Sequence, residues 1–330
     1  MRLRRSLLLA IAILAGAAAA GWTLRDRGTV FGTRAACEAY AGLPAGWGTD
    51  PHAGMVQIGG GSFGFGSGRG YPEERPQVDT TVAAFWIDRT EVTNAQFAGF
   101  VAATGYVTEA ERHPGAMVFR VPHGDEEVTP GSWWHLEAGA DWRHPDGPGS
   151  GIAGRAHEPV VDVTYADALA YARWLGRELP SEAQWEFAAR AGRSDAESDR
   201  DLRDAAGRPQ ANFWQGRFPS QDTAEDGFAG RAPVGCFPPS PNGLHDMVGN
   251  VWEWTTDLYI DRHAQGAPSL ADRDAGVPQP RKVPRRVIKG GSYLCSADYC
   301  VRARASSRQG QEADLPAAHL GFRTIARVGD

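Results

Sequence analysis

Two cysteines five positions apart, Cys295 and Cys300, lie in the segment Arg286-Val287-Ile288-Lys289-Gly290-Gly291-Ser292-Tyr293-Leu294-Cys295-Ser296-Ala297-Asp298-Tyr299-Cys300, the stretch richest in groups able to do chemistry. On a strand, positions at that spacing face opposite sides, and on a helix they differ by about 140°. The thiols therefore converge only if the chain turns between them. The spacing is not the CxxC of zinc ribbons or thioredoxins. Two outcomes stay open on spacing alone: a structural disulfide, or a two-thiolate site. With no His nearby in sequence, two thiolates suit a soft, low-coordinate ion, and Cu(I) leads that group.

Weaker patterns fall away. Gly59-x-Gly61-x-x-Gly64 fits a dinucleotide fingerprint and Gly60-x-Ser62-x-Gly64 a nucleophile elbow, but no helix follows and no βαβ pattern surrounds them. A hairpin turn accounts for both. The 9 His residues include no HExxH arrangement, which argues against a hydrolytic zinc site.

The elements that must position the thiols are short. Met55-Val56-Gln57-Ile58 reads as a strand, as does Thr81–Asp88 with Val82, Ala84 and Trp86 alternating inward, and Arg286-Val287-Ile288 reads as a third. Capping boxes open three helices at Thr93-x-x-Gln96, Thr164-x-x-Asp167 and Ser181-x-x-Gln184, where a side-chain oxygen and an acid or amide three residues on satisfy the orphan N–H groups. The first turns Phe97, Phe100 and Val101 inward, the second Leu169, Ala172 and Leu175, the third Trp185 and Ala188. The chain reads as α+β with few long elements, in one domain.

Composition agrees. Of 330 residues, 42% are hydrophobic and 22% charged, so a globular core is expected. The 41 Gly, 22 Pro and 11 Trp suggest irregular segments pinned by large rings. A net charge of -6 gives no general reason to bind nucleic acid, and Arg281, Lys282, Arg285 and Arg286 read as a solvated strand entry. At the N-terminus, Arg2, Arg4 and Arg5 precede an uncharged stretch from Ser6 to Leu24, and Ala18-Ala19-Ala20 offers a cleavage pattern. Residues 1–24 are read as a signal peptide or inner-membrane anchor, so the rest is expected to be exported to the periplasm. Residues 25–51 read as a linker. Beside Cys295 and Cys300, the other two of the 4 Cys are Cys37 and Cys236; four allow three pairings, and in an oxidising compartment Cys37 is expected to pair with Cys236 if Cys295 and Cys300 serve a metal.

A resemblance sharpens this reading. Gly290-Gly291-Ser292-Tyr293-x-Cys295-x-x-x-Tyr299-Cys300-x-Arg302-x-Arg304 and Leu320-Gly321-Phe322-Arg323 resemble the active-site signature and closing strand of the formylglycine-generating enzymes. Trp142-Arg143-His144-Pro145, Leu179–Glu186, Asn212-x-Trp214-Gln215-Gly216, Glu225–Phe228 and Gly249–Trp254 resemble further blocks in family order, so that residues 52–327 form the expected catalytic domain. The LPSEAQWE and GNVWEW blocks are shared with inactive relatives; the paired cysteines and WRHP are more specific to active enzymes.

The resemblance implies a sulfatase-modifying-factor fold, C-type-lectin-like, with little regular structure. It implies Cys295 and Cys300 as Cu(I) thiolates, with Ser292, Tyr299 and Trp252 lining their pocket. The implied reaction converts the cysteine of a Cys-x-Pro-x-Arg motif in unfolded sulfatases to formylglycine, using O2 and a reductant. It also implies calcium, at one set formed by Asn212, Phe213, Asp226 and Phe228 and a second formed by Asp246, Gly249, Val251 and Glu253. An exported relative acting on another substrate, such as a siderophore chromophore, and a lectin-like binding module are the alternatives.

Overall fold

The computed structural model describes residues 31–122, 128–198, 202–261 and 283–329. The expected signal peptide or anchor, residues 1–24, lies outside them, as do Arg281 and Lys282.

Among the described residues, thirteen strands form five small sheets. Strands β1 (Met55–Ile58), β4 (Phe85–Asp88) and β13 (Ile325–Arg327) make an antiparallel sheet with β4 in the middle. Strands β9 (Trp252–Leu258), β10 (Arg285–Lys289), β11 (Arg308–Glu312) and β12 (Leu320–Gly321) make another, in the order β11-β10-β9-β12 with only β12 parallel to its neighbour. Three two-stranded ribbons complete the set: β2 (Gly61–Phe65) with β3 (Val78–Val82), β5 (Ala116–Phe119) with β6 (Trp134–Glu137), and β7 (Gly216–Arg217) with β8 (Gln221–Asp222).

The α-helices that accompany them are α1 (Arg34–Glu38), α2 (Asn94–Thr104), α3 (Glu109–Arg112), α4 (Tyr165–Trp174), α5 (Glu182–Arg190) and α6 (Asp195–Ser198). All three expected capping boxes are present, at Thr93, Thr164 and Ser181, because the cap needs only residues close together in the chain. Thr108 supplies a fourth, with Glu111.

Two strand expectations need correction. Thr81–Asp88 is not one strand: Ala83 and Ala84 separate β3 from β4, and the inward residues of β4 are Phe85 and Ile87 rather than Ala84 and Trp86. The break shifts the period-2 register by one, which exchanges the two faces. The glycine run is not a hairpin either, since β1 pairs with β4 and β2 with β3. Gly60 crosses between sheets so close to β3 that a Cβ would sit 2.7 Å from the Val82 carbonyl oxygen.

The segment expected as a linker is folded where it is described. Helix α1 carries Cys37, which is buried and disulfide-bonded to Cys236, so the expected pairing is present with Cα atoms 5.0 Å apart. Arg34 donates to the Gly227 carbonyl, and Phe31 packs on Tyr40 and His245.

The main core runs between α2, α4 and the four-stranded sheet, around Phe97, Tyr171, Trp254, Ile288 and Phe322. Buried ion pairs tie α5 to the sheet that leads to the cysteines: Lys289 to Glu186 at 2.8 Å, and Arg308 to Glu182 at 2.8 Å. Such pairs need partners, because either charge left alone in the interior costs about 3–5 kcal/mol.

Candidate active site

Strand β10 delivers the chain to Gly290 and Gly291, both at positive φ (93° and 77°), and this turn leads into the cysteine segment. A Cβ at Gly291 would meet the Arg302 carbonyl at 2.6 Å, so the backbone passes here only without a side chain. Beyond it, Cys295 N–H donates to the Ser292 carbonyl at 2.9 Å, and the Ser292 amide reaches Cys295 Sγ at 3.4 Å. The chain then folds back on itself. Ser296 N–H donates to Cys300 O at 3.1 Å while Cys300 N–H donates to Ser296 O at 3.0 Å. That reciprocal pair supplies the turn the spacing demanded, and it sets the two thiols side by side.

Neither cysteine is in a disulfide; Cys295 is buried and Cys300 half-buried. The thiols hydrogen-bond to each other. Accepting from Cys295, and with the Arg302 guanidinium beside it, Cys300 is lowered to about 7 despite its burial. Donation to Cys300 and burial hold Cys295 well above the usual thiol range. One sulfur is thus nearly ready as a thiolate and its neighbour is the donor that stabilises it.

Both open onto a cavity of about 580 Å³, and Ser292, Trp252 and Tyr299 line it with them. All five residues expected at the site come together. Trp252 is placed by β9, its N–H donating to the His319 carbonyl. Tyr299, half exposed, stacks on Phe218 with centroids 4.7 Å apart and meets Trp133 edge-on at 5.1 Å.

The remaining wall is not legible in the sequence. Trp133, Trp134 and Phe218 give it aromatic faces, and His319 lies 4.5 Å from the Trp134 ring. Tyr71 carries Arg302 over its face at 4.1 Å, and Glu73 holds the same guanidinium at 2.5 Å. Arg302 stood in the signature, and its place two residues beyond Cys300 was the available signal. The WRHP block is elsewhere: Trp142 is buried against Phe97, and Arg143 covers it while pairing with Glu111.

The donor set suits a soft ion. Two adjacent sulfurs stand alone, since among the described residues no group of three or more His, Cys, Asp and Glu is placed to hold a metal. Cys295 and Cys300 would offer Cu(I) two soft thiolate donors beside an open cavity.

Residues of the first calcium set lie side by side. Asp226 accepts from the amides of Phe213 and Phe228, and the Gln215 side-chain amide bridges the Phe213 carbonyl and Asp226 Oδ2. Two oxygens thus converge on one neutral amide donor, and a carboxylate beside a backbone carbonyl is a donor set that suits a hard cation. Asn212 is beside them, with its carbonyl accepting from Asn250 N–H.

The second set is built around a buried ion pair. Both carboxylate oxygens of Glu253 are taken, by Arg323 at 2.7 Å on each and by Trp185 Nε1 at 2.7 Å, in a fully buried cluster. Asp246 spends one oxygen on the Gly235 amide; Val251 N–H donates to Glu91, and Gly249 N–H to the Gly290 carbonyl.

Comparison with known proteins agrees with this arrangement. A family model described as sulfatase-modifying factor enzyme 1-like domain matches residues 42–328. A formylglycine-generating enzyme of Mycobacterium tuberculosis is 46% identical over 292 residues, covering 82% of this chain and 97% of that protein. A second, from Thermomonospora curvata, is 44% identical over 286 residues, covering 83% and 93%. A mouse protein named inactive C-alpha-formylglycine-generating enzyme 2 is 40% identical over 286 residues, covering 83% and 86%. Among solved structures, PvdO from Pseudomonas aeruginosa is similar with a TM-score of 0.54 and 28% identity, covering 83% of this chain and 94% of that one. Matched from residue 42 to just past its closing strand, the chain belongs to the sulfatase-modifying factor enzyme 1-like domain family.

Proposed function

We propose that this protein oxidises a cysteine of a sulfatase-type substrate to Cα-formylglycine with O2. The observation that supports it most is the hydrogen-bonded thiol pair, Cys295 and Cys300, set in the wall of a peptide-sized cavity. One relative is named an inactive enzyme, so family membership alone does not decide activity, and the reading rests on those two sulfurs.

Cys295 and Cys300 would hold Cu(I). When bound, the ion would offer the substrate thiol a soft anchor and O2 a one-electron partner. The chain's own residues do the remaining work. The substrate thiol has to reach two sulfurs at the cavity wall, one of them buried, so the peptide must enter extended. The ring faces of Trp133, Trp134, Phe218 and Tyr299 suit a proline and flat peptide groups, consistent with a Cys-x-Pro-x-Arg segment of an unfolded sulfatase. Trp252, in one buried apolar cluster with Cys295 and Cys300, would keep water from that side of the thiols, and the Ser292 and Tyr299 hydroxyls would be hydrogen-bond partners for sulfur or oxygen. Electrons come from an external reductant.

Two further parts belong to the same reading. Asn212, Phe213, Asp226 and Phe228 would hold Ca2+; the Glu253 carboxylate of the second set already serves Arg323, so we place the ion on the first set alone. The protein works outside the cytoplasm, either free in the periplasm or anchored to the inner membrane. The Cys37–Cys236 bridge supports an oxidising compartment.

The test is direct. Protein loaded with Cu(I), given O2 and a reductant, should place an aldehyde on a Cys-x-Pro-x-Arg peptide, seen by mass and by hydrazide trapping. Folded, copper-loaded protein that produces none would sink the reading.

A further inference from the structure

Asp162 is fully buried, holds φ at +57°, and neither carboxylate oxygen has a hydrogen-bond partner. Each of these is unfavourable for a non-glycine acid. An alanine or asparagine would be cheaper to bury, so something other than stability accounts for a carboxyl group here.

Its position supplies the reason. The Asp162 amide donates to the carbonyl of Ala317, and the Arg231 guanidinium donates to the carbonyl of Ala318. Ala317 and His319 form part of the wall of the thiol cavity. Asp162 and Arg231 thus sit directly behind that wall. His319 also has an orphan: its Nδ1 is buried with no partner. Orphaned acceptor and donor sites around one buried guanidinium are the setting in which an internal water is held.

The charged and titratable groups facing Asp162 are Arg231, Asp146, Asp141 and Tyr293. Arg231 spends its other nitrogen on both oxygens of Asp146, at 2.9 Å each, so its charge is already shared. Burial therefore dominates, raises the Asp162 carboxyl well above the usual range and favours its acid form. His319 is pushed the other way, down to about 3, by burial and by Arg231, so its ring is neutral.

We propose that Asp162 is the internal proton donor of the reaction, acting through a bound water and the His319 imidazole, which opens on the cavity of Cys295 and Cys300. The inference rests on the proposed oxidation. Converting the substrate's CH2–SH group and one O2 to an aldehyde, one hydrogen sulfide and one water consumes two electrons, from the external reductant, and two protons. The hydroxyls in the cavity wall, on Ser292 and Tyr299, are far weaker acids than a carboxyl group. Asp162 gives up its O–H proton toward His319 Nδ1 as the ring releases one from Nε2, so the imidazole is never left charged beside Arg231. The carboxylate formed is stabilised by that same guanidinium until solvent reprotonates it from the side of Asp146, whose side chain is 41% exposed.

Asp162→Asn keeps the size and polarity of the side chain and removes the acid. With Cu(I)-loaded enzyme and a Cys-x-Pro-x-Arg peptide, kcat should fall by roughly 10²-fold, while KM and Cu(I) affinity stay at wild-type values. The fall should steepen toward alkaline pH with a larger solvent isotope effect, and Asp162→Glu should restore part of the rate. His319→Phe should show the same kcat loss, which covers the case of an unstable asparagine variant. An active wild type with unaltered kcat in both Asp162→Asn and His319→Phe overturns the relay and leaves the oxidation standing. A wild type that forms no aldehyde overturns the oxidation itself and the relay with it. Independently of turnover, resting protein at neutral pH should show the infrared C=O stretch of a protonated carboxyl that Asp162→Asn lacks; its absence overturns the proposal.

Discussion

Ser296 and Cys300 exchange backbone hydrogen bonds in both directions, Ser296 N–H to Cys300 O at 3.1 Å and Cys300 N–H to Ser296 O at 3.0 Å. This closed loop turns an unfavourable spacing into a dithiol. The residues it encloses, with Tyr299 pointing onto Phe218, become one edge of the cavity.

The thiols should be separable from the other cysteines. Cys295→Ser or Cys300→Ser removes a soft donor at nearly constant size, so either should abolish aldehyde formation and sharply weaken Cu(I) binding, measured by competition with a Cu(I) chelator. Cys37→Ser and Cys236→Ser should leave both intact. Full activity in both active-site variants would refute the assignment.

Tyr299 offers a second dissection. Tyr299→Phe keeps the stack on Phe218 and the edge contact with Trp133, and removes only the hydroxyl. Its KM for peptide should stay near wild type. Tyr299→Ala loses the aromatic contacts, each worth about 0.5–1.5 kcal/mol, and KM should rise by roughly tenfold. Equal KM values in the two variants would show that the ring does not bind peptide.

Calcium should be detectable without turnover. Chelator should lower the melting temperature and added Ca2+ restore it, because an ion bound only by the folded state adds to stability. Asp226→Ala should remove that response. Glu253→Gln should not remove it, if its carboxylate serves Arg323 rather than an ion.

The Cys37–Cys236 bridge closes a span of 199 residues. A loop this long is expected to contribute up to about 5 kcal/mol through the unfolded state. Replacing both cysteines with alanine should lower the denaturation midpoint at unchanged Cu(I) affinity. An unchanged midpoint would mean that the bridge does not form in the purified protein.

Arg323 should be among the least replaceable residues. It is fully buried and pairs with Glu253, with Glu91 and Asp246 also within its field. Arg323→Leu would strand buried carboxylates and should cost about 3–5 kcal/mol, read by chemical denaturation. A variant as stable as wild type would contradict the pairing.

What the sequence determined by itself was local or compositional. The caps at Thr93, Thr164 and Ser181 were legible because each is complete within a few consecutive residues, and strands β1 and β10 because their apolar runs need no partner to be recognised. The thiol pair, Ser292, Tyr299 and Trp252 were legible only through resemblance, for nothing in a spacing of five brings two side chains together. The tertiary structure decided the rest. The face that β4 buries depends on the break at Ala83 and Ala84, which no alternation records. The aromatic wall comes from residues as distant in sequence as Trp133, Phe218 and Tyr299, and the partner of Glu253 is Arg323, 70 positions away. Periodicity and capping report interactions along the chain; a cavity, a buried charge and a thiol's proton affinity are set by what other segments place beside them.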